Sequence, residues 1–172
     1  MVAPRTMLYL DLCAELVVDH LQVIINEWSG PYKEKFLAQD TNTSLKELID
    51  GIAELSRSDL AIERMAVALQ NQDQEDKHSC FSDNPHRDIR LNLAGIVNVF
   101  KGIYGTINGR SLKEIIEEAD SALALKLDNL LTEAQSKVEA TAVPFDLAIS
   151  GGASSAEGAK VQEAVQSSVI LP

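Results

Sequence analysis

The chain has 172 residues, 45% of them hydrophobic, with 26 acidic against 15 basic side chains and a net charge of −11. That length and apolar content suffice for one ordinary domain with a real core. The acidity, without any cluster of lysine or arginine, argues against a binder of phosphate backbones and suits solubility or cation binding instead.

Residues 7–18 are the nearest approach to an apolar leader, but Asp11 and Glu15 interrupt it and no small-residue cleavage site follows, so it does not read as a signal peptide. No run reaches transmembrane length. Leu10, Ala14, Val17, Leu21, Ile24 and Trp28 recur at helical spacing and predict the buried stripe of a bundle helix, ended by Ser29-Gly30-Pro31. His20 lies on that helix's solvent side. Ser44-Leu45-Lys46-Glu47 reads as a capping box opening a second helix whose apolar face is Leu45, Leu48, Ile49, Ile52 and Leu55. Ser56-Arg57-Ser58-Asp59 competes for backbone hydrogen bonds, which predicts a break or kink before a segment running to about Gln70.

A polar stretch over 71–83 separates this from a third helix. Asn84 is a good N-cap and Pro85 suits the first helical position, where its missing N–H costs nothing. Ile89, Leu93, Ile96, Phe100 and Ile103 form the apolar stripe of that helix. Beside it runs a polar and small stripe, Asp88, Asn92, Gly95, Val99 and Gly102, whose two glycines suggest the close approach of another backbone or a ligand. Ser111-Leu112-Lys113-Glu114 repeats the capping box and opens a helical region to about Ala140, with a reset at Asp120-Ser121. Gly151-Gly152-Ala153-Ser154-Ser155 reads as a flexible connector before a short helix from about Glu157 to Val169. The spacing of Gly152, Gly158 and Lys160 misses the phosphate-loop pattern. No segment alternates long enough to demand a strand. The fold class is all-α, an up-and-down bundle of about four main helices over residues 1–150, followed by the connector and short helix of 151–172.

The chemistry concentrates in His78-Ser79-Cys80-Phe81-Ser82-Asp83-Asn84-Pro85-His86-Arg87-Asp88. His78, Asp83 and His86 are the side-chain types that hold iron, zinc or copper, but two histidines with a turn between them fit neither HExxH nor a zinc-finger spacing. On residues alone the run reads as readily as a helix start, with Asp83 and Asn84 capping, His86 and Asp88 in the first turn, and Arg87 paired to an acid. Ser79 or Cys80 as a nucleophile would need a base in reach, which His78 does not assure. Cys80, followed by Phe81, is expected to pack into the bundle, and Cys13 and Cys80 to be two buried free thiols. Arg64, beside Glu63, is expected to reach the carboxylate of Asp83 or Asp88 and hold the loop.

The eleven-residue run resembles the HSCFSDNTHRD signature of the imelysin-like family, bacterial cell-envelope proteins that are often iron-regulated and are classed as metallopeptidases; Pro85 stands for the usual Thr. Glu63-Arg64-Met65, the acidic Gln72–Asp76, Gly95-Ile96, Asn98-Val99, Gly102-Ile103-Tyr104 and Pro144-Phe145-Asp146 extend the resemblance over roughly residues 5–165. The family's second signature, GxHxxE, does not occur in this sequence. The resemblance therefore implies the C-terminal half of such a protein, located in the periplasm or at the outer membrane and carrying half of a metal- or ligand-binding site. It further implies that His78, Asp83 and His86 are candidate ligands for a transition metal such as iron or zinc. Glu63, Arg64, Ser79, Cys80, Ser82, Asn84, Arg87, Asp88 and Asn92 are the supporting motif residues. The expected partner is the N-terminal half, on the same gene or another chain, with self-association the outcome when that half is missing.

Overall fold

The structure is a computed structural model that describes residues 4–169 and 171. Its described residues are almost entirely helical, as the periodicity predicts, and they form two compact units, Met1–Leu48 and Ile49–Pro172.

In the first unit α1 (Pro4–Ser29) ends at Gly30 and α2 (Pro31–Ala38) begins at once, with Pro31 in the first turn, where a missing N–H is tolerated. Trp28, Tyr32 and Phe36, four residues apart, bring their rings together across this corner, the first two with centroids 4.7 Å apart. The buried stripe expected on α1 is not found: Leu10, Val17, Leu21, Ile24 and Trp28 are exposed, and so are Met7, Leu8, Leu12, Leu16, Val18, Val23 and Ile25 on the helix's other sides. Asp11, Glu15, Asp19, Gln22 and Asn26 give the helix a polar strip on one side, and the apolar side chains around the rest of it stay exposed although α2 packs on it within the unit. The first capping box also falls elsewhere. The third helix, α3 (Thr41–Glu54), starts earlier than Ser44, because Asp40 accepts from the amides of Asn42 and Thr43 at 3.0 and 3.3 Å. Ser44, already inside the helix, donates its hydroxyl to the Phe36 carbonyl instead.

The second unit holds the core. Where a break was expected after residue 55, α3 passes without interruption into a π-helical stretch, Leu55–Ala66, and then into α4 (Val67–Asn71). Ser56 turns its hydroxyl back onto the Ala53 carbonyl at 3.2 Å, the local competition anticipated there, and the chain answers by widening its hydrogen-bond register. Gln72, in left-handed conformation, ends α4. After the polar connection and a 3₁₀ turn (Cys80–Ser82), α5 (Pro85–Lys101) starts at the proline as expected. Its stripe of Ile89, Leu93, Ile96 and Phe100 is buried. Ile103 is not, because Gly102 closes the helix at φ 64° and Ile103 enters a hairpin of two-residue strands, β1 (Ile103–Tyr104) and β2 (Ile107–Asn108), in antiparallel register.

Ser111 caps α6 (Leu112–Ala119) in a full capping box with Glu114, and Asp120 caps α7 (Ser121–Glu139) by accepting from the Leu123 amide at 3.0 Å. Next come α8 (Phe145–Ile149) and α9 (Ala156–Val169). The connector between them is tied rather than loose: the Gly152 carbonyl accepts from the Ser155 amide and hydroxyl at 3.1 and 2.8 Å. Through it α9 returns onto the π-helical stretch and α7, so residues 151–169 are part of the second unit. Leu60, Met65, Ile89, Leu93, Ile96, Val138, Phe145, Ile149 and Val161 meet in this core.

Lys101 and Lys113 share one carboxylate between α5, α6 and α7: Asp128 lies 3.3 Å from the first and 2.6 Å from the second. The hydrogen bond from Lys113 and then that from Lys101 hold Asp128 below the usual carboxylate range, against the opposing effect of its partial burial. A depressed folded value means that the stabilisation is complete above the unfolded pKa of about 3.9 and is lost as pH falls through the folded one. Asp128→Asn is expected to lower stability in urea denaturation at neutral pH, with a deficit that shrinks as pH is lowered through the folded value of Asp128. A deficit that does not change as pH is lowered would show that the ion pairs do not carry the effect.

Candidate functional site

The motif run occupies the end of the polar connection and the first turn of α5. Two non-glycine residues in left-handed conformation bracket its short 3₁₀ turn, Ser79 at φ 55° and Asp83 at φ 51°. Such backbone is unfavourable for residues with a Cβ and persists only where surroundings enforce it. Local hydrogen bonds do part of this, with the Ser79 carbonyl accepting from the Ser82 amide and hydroxyl, both at 3.1 Å. Asn84 stands at the helix start, yet its side chain does not cap: it donates to the Ser82 carbonyl at 2.9 Å. Its own carbonyl accepts from the amides of Arg87 and Asp88. Asp88 sits in the first turn, where the helix dipole favours negative charge.

The loop is anchored by a residue that motif reading passed over. Lys77, with a side chain only 1% exposed, forms an ion pair with Asp146 at the start of α8, and its ammonium lies 4.0 Å from Asp83. Arg64, which was expected to reach Asp83 or Asp88, forms no ion pair with either; it is half-buried on the π-helical stretch, with Glu63 exposed beside it. Asp88 takes His78 as its partner, at 3.1 Å from Nδ1. The signal for Lys77 was present as the one cation in an otherwise acidic connection, and the signal for Asp146 was the Pro144-Phe145-Asp146 segment, of which Phe145 is buried core.

Phe81 does not pack into the bundle. It is 97% exposed, while Cys80 next to it is half-buried and, like Cys13, a free thiol. The left-handed residues on both sides of the turn keep its one-turn helix short, and the ring stands away from the core. Arg87 is exposed and makes no ion pair among the described residues; Ser82 is exposed, and Ser79 and Asn92 are half-buried. On the neighbouring stripe, a Cβ on Gly95 would meet no atom within 4 Å, so nothing in the described chain approaches it closely. Gly102 serves the turn, where a Cβ would meet the Gly109 carbonyl oxygen at 2.8 Å.

The Nδ1 atom of His86 is buried and has no hydrogen-bond partner among the described residues. A buried polar atom without a partner costs about 1–3 kcal/mol, so it marks a place where a group from outside would be welcome. His78, Asp83 and His86 share the loop and its helix start, but among the described residues no three His, Cys, Asp or Glu side chains gather closely enough to hold a metal ion. The donors of this chain taken alone therefore do not fit a resident iron or zinc site. Among the described residues no helix is long and apolar enough to cross a membrane.

Comparison with known proteins agrees with the motif. No curated protein matches the chain. The model of the imelysin family, peptidase M75, matches residues 5–169, nearly the whole length, with the motif loop and the residues that anchor it inside the match, and the chain belongs to the imelysin family.

Proposed function

We propose that the chain serves in a bacterial cell-envelope protein connected with iron uptake, where its motif loop supplies part of a metal- or ligand-binding site that a second helical segment completes. The observation that carries this reading is the buried, unpartnered Nδ1 of His86 at the start of α5, a nitrogen able to ligate or accept but given nothing to do by its own chain. His78 is held in orientation by Asp88, as ligating histidines commonly are by a carboxylate. The completing segment is an N-terminal bundle carrying GxHxxE. The uncovered stripe at Gly95 and the many exposed apolar side chains of α1 support such a partner, since neither surface has a cover among the described residues.

Calorimetric titration of iron or zinc into the chain, with and without an N-terminal imelysin bundle, tests the reading. Weak binding alone should tighten at least tenfold when the bundle is added, and His86→Ala should remove the gain. Equal affinity in both samples would refute the shared site.

A further inference from the structure

The most exposed large apolar side chain among the described residues is Phe81, at 97%, against 72% for the next, Tyr104. A ring left wholly in water forgoes the burial of about 150–250 Å² that aromatic side chains ordinarily reach. Its exposure is built into the backbone. Ser79 and Asp83 stand in left-handed conformation on either side of the 3₁₀ turn that bears it, and the Asp83 amide donates to the Cys80 carbonyl at 3.4 Å. The connection just before the turn is pinned by the buried Lys77 to Asp146 of α8. A ring held out in this way loses little freedom when it is covered, which makes it a good anchor for an interface.

Given the shared site proposed above, on which this reading rests, the ring's place on the loop says what covers it. Phe81 lies five residues before His86, whose Nδ1 has no partner among the described residues. Five residues of extended chain span at most about 18 Å, so the two Cα atoms are no further apart than that. A stable interface takes about 800 Å² on each partner, a patch about 30 Å across. A helical segment that seats on His86 through a contact of ordinary size therefore reaches the Phe81 ring as well. Charge does not select the partner here: between residues 77 and 88 Lys77 and Arg87 balance Asp83 and Asp88, so with its histidines neutral the loop offers no net charge for steering, and the ring is its distinctive contact.

We infer that Phe81 is the anchor by which this chain docks onto the N-terminal imelysin bundle, its ring entering an apolar pocket of that bundle beside the shared site. The ring has no donor atom to offer a metal, so its part is in the docking alone, and the two halves associate through it with or without metal. Its removal should weaken their association by about thirtyfold, the size of an aromatic hot spot.

Calorimetric titration of the full chain with a separately expressed N-terminal imelysin bundle, without added metal, tests this. Phe81→Ser should bind about thirtyfold more weakly than the parent, and Phe81→Leu, which restores a large apolar side chain at the same point, should recover most of the loss. Leu125→Ser, which removes an exposed apolar side chain from α7, away from the loop in sequence, should bind like the parent. Phe81 supports no core, so its variants should keep the parent's circular-dichroism spectrum. A Phe81→Ser chain that binds like the parent, a Leu125→Ser chain that loses as much, or a parent that does not bind the bundle would each overturn the inference. The shared site fails separately: docking that depends on Phe81 but leaves the affinity for iron or zinc unchanged would refute that site and keep the anchor.

Discussion

Asp146→Ala should lower the stability of the second unit by about 3 kcal/mol, the lower end of what breaking a buried ion pair costs when one charge is left behind. The reason is the asymmetry of the pair. The Lys77 side chain is 1% exposed, whereas Asp146 is 21% exposed. Without Asp146 the ammonium keeps only Asp83, at 4.0 Å and largely in solvent, and it cannot turn to water itself. Lys77→Met should cost less, because methionine fills much the same volume and the orphaned carboxylate of Asp146 can hydrate. Urea denaturation of the two variants gives the order, and a larger loss for Lys77→Met would contradict it. Hydrogen exchange should also quicken at residues 79–83 in both, since the tether that holds the motif turn to α8 is gone.

Gly158→Ala should be comparably damaging, by about 3 kcal/mol, at the upper end of overpacking effects. A Cβ there would run into the carbonyl group of Gly152, which is backbone and has no rotamer to escape through. Moving that carbonyl would break its bonds from the Ser155 amide and hydroxyl and disturb the Gly158 amide, which donates to the same hydroxyl at 2.9 Å. Gly152 is itself fixed at φ 64°, with the Gln72 amide against it. Gly95→Ala provides the opposite sign: the space is open and the site is mid-helix, so stability should rise by about 0.5–1 kcal/mol. Thermal unfolding of both variants decides, and a Gly158→Ala chain as stable as the parent would mean that the loop yields.

The sequence was most informative where a single local interaction decides the outcome. Pro85, Ser111 and Asp120 each start a helix where their chemistry says they should, and the apolar spacing on α5 names its buried side correctly up to Phe100. The same Ser-Leu-Lys-Glu signal misleads at Ser44 because Asp40, four residues earlier, already caps the helix, and no spacing rule ranks two caps so close together. Non-local facts stayed hidden. Lys77 and Asp146 are 69 residues apart, and nothing in either neighbourhood announces the other. Arg64 looked the better anchor for the loop because guanidinium groups favour carboxylates, but the fold buries the lysine instead. Cys80, expected to pack into the bundle, is only half-buried, because the turn that bears it is too short to fold back.

The widened helix from Leu55 to Ala66 buries Ser56, Leu60, Ala61 and Met65, a rhythm of four and five rather than the three and four of an α-helix. Such a stretch stores more chain per unit of length than the helices on either side of it. Removing one residue between Arg57 and Asp59 can be absorbed by tightening a turn toward α pitch, which leaves Glu63, Arg64 and Met65 facing as they do. The same deletion within α5 would swing every later side chain by about 100° and turn Ile96 and Phe100 out of the core. The segment is thus a reservoir of length, the part of this framework where insertions and deletions can accumulate while the orientation of the motif's supporting residues is preserved.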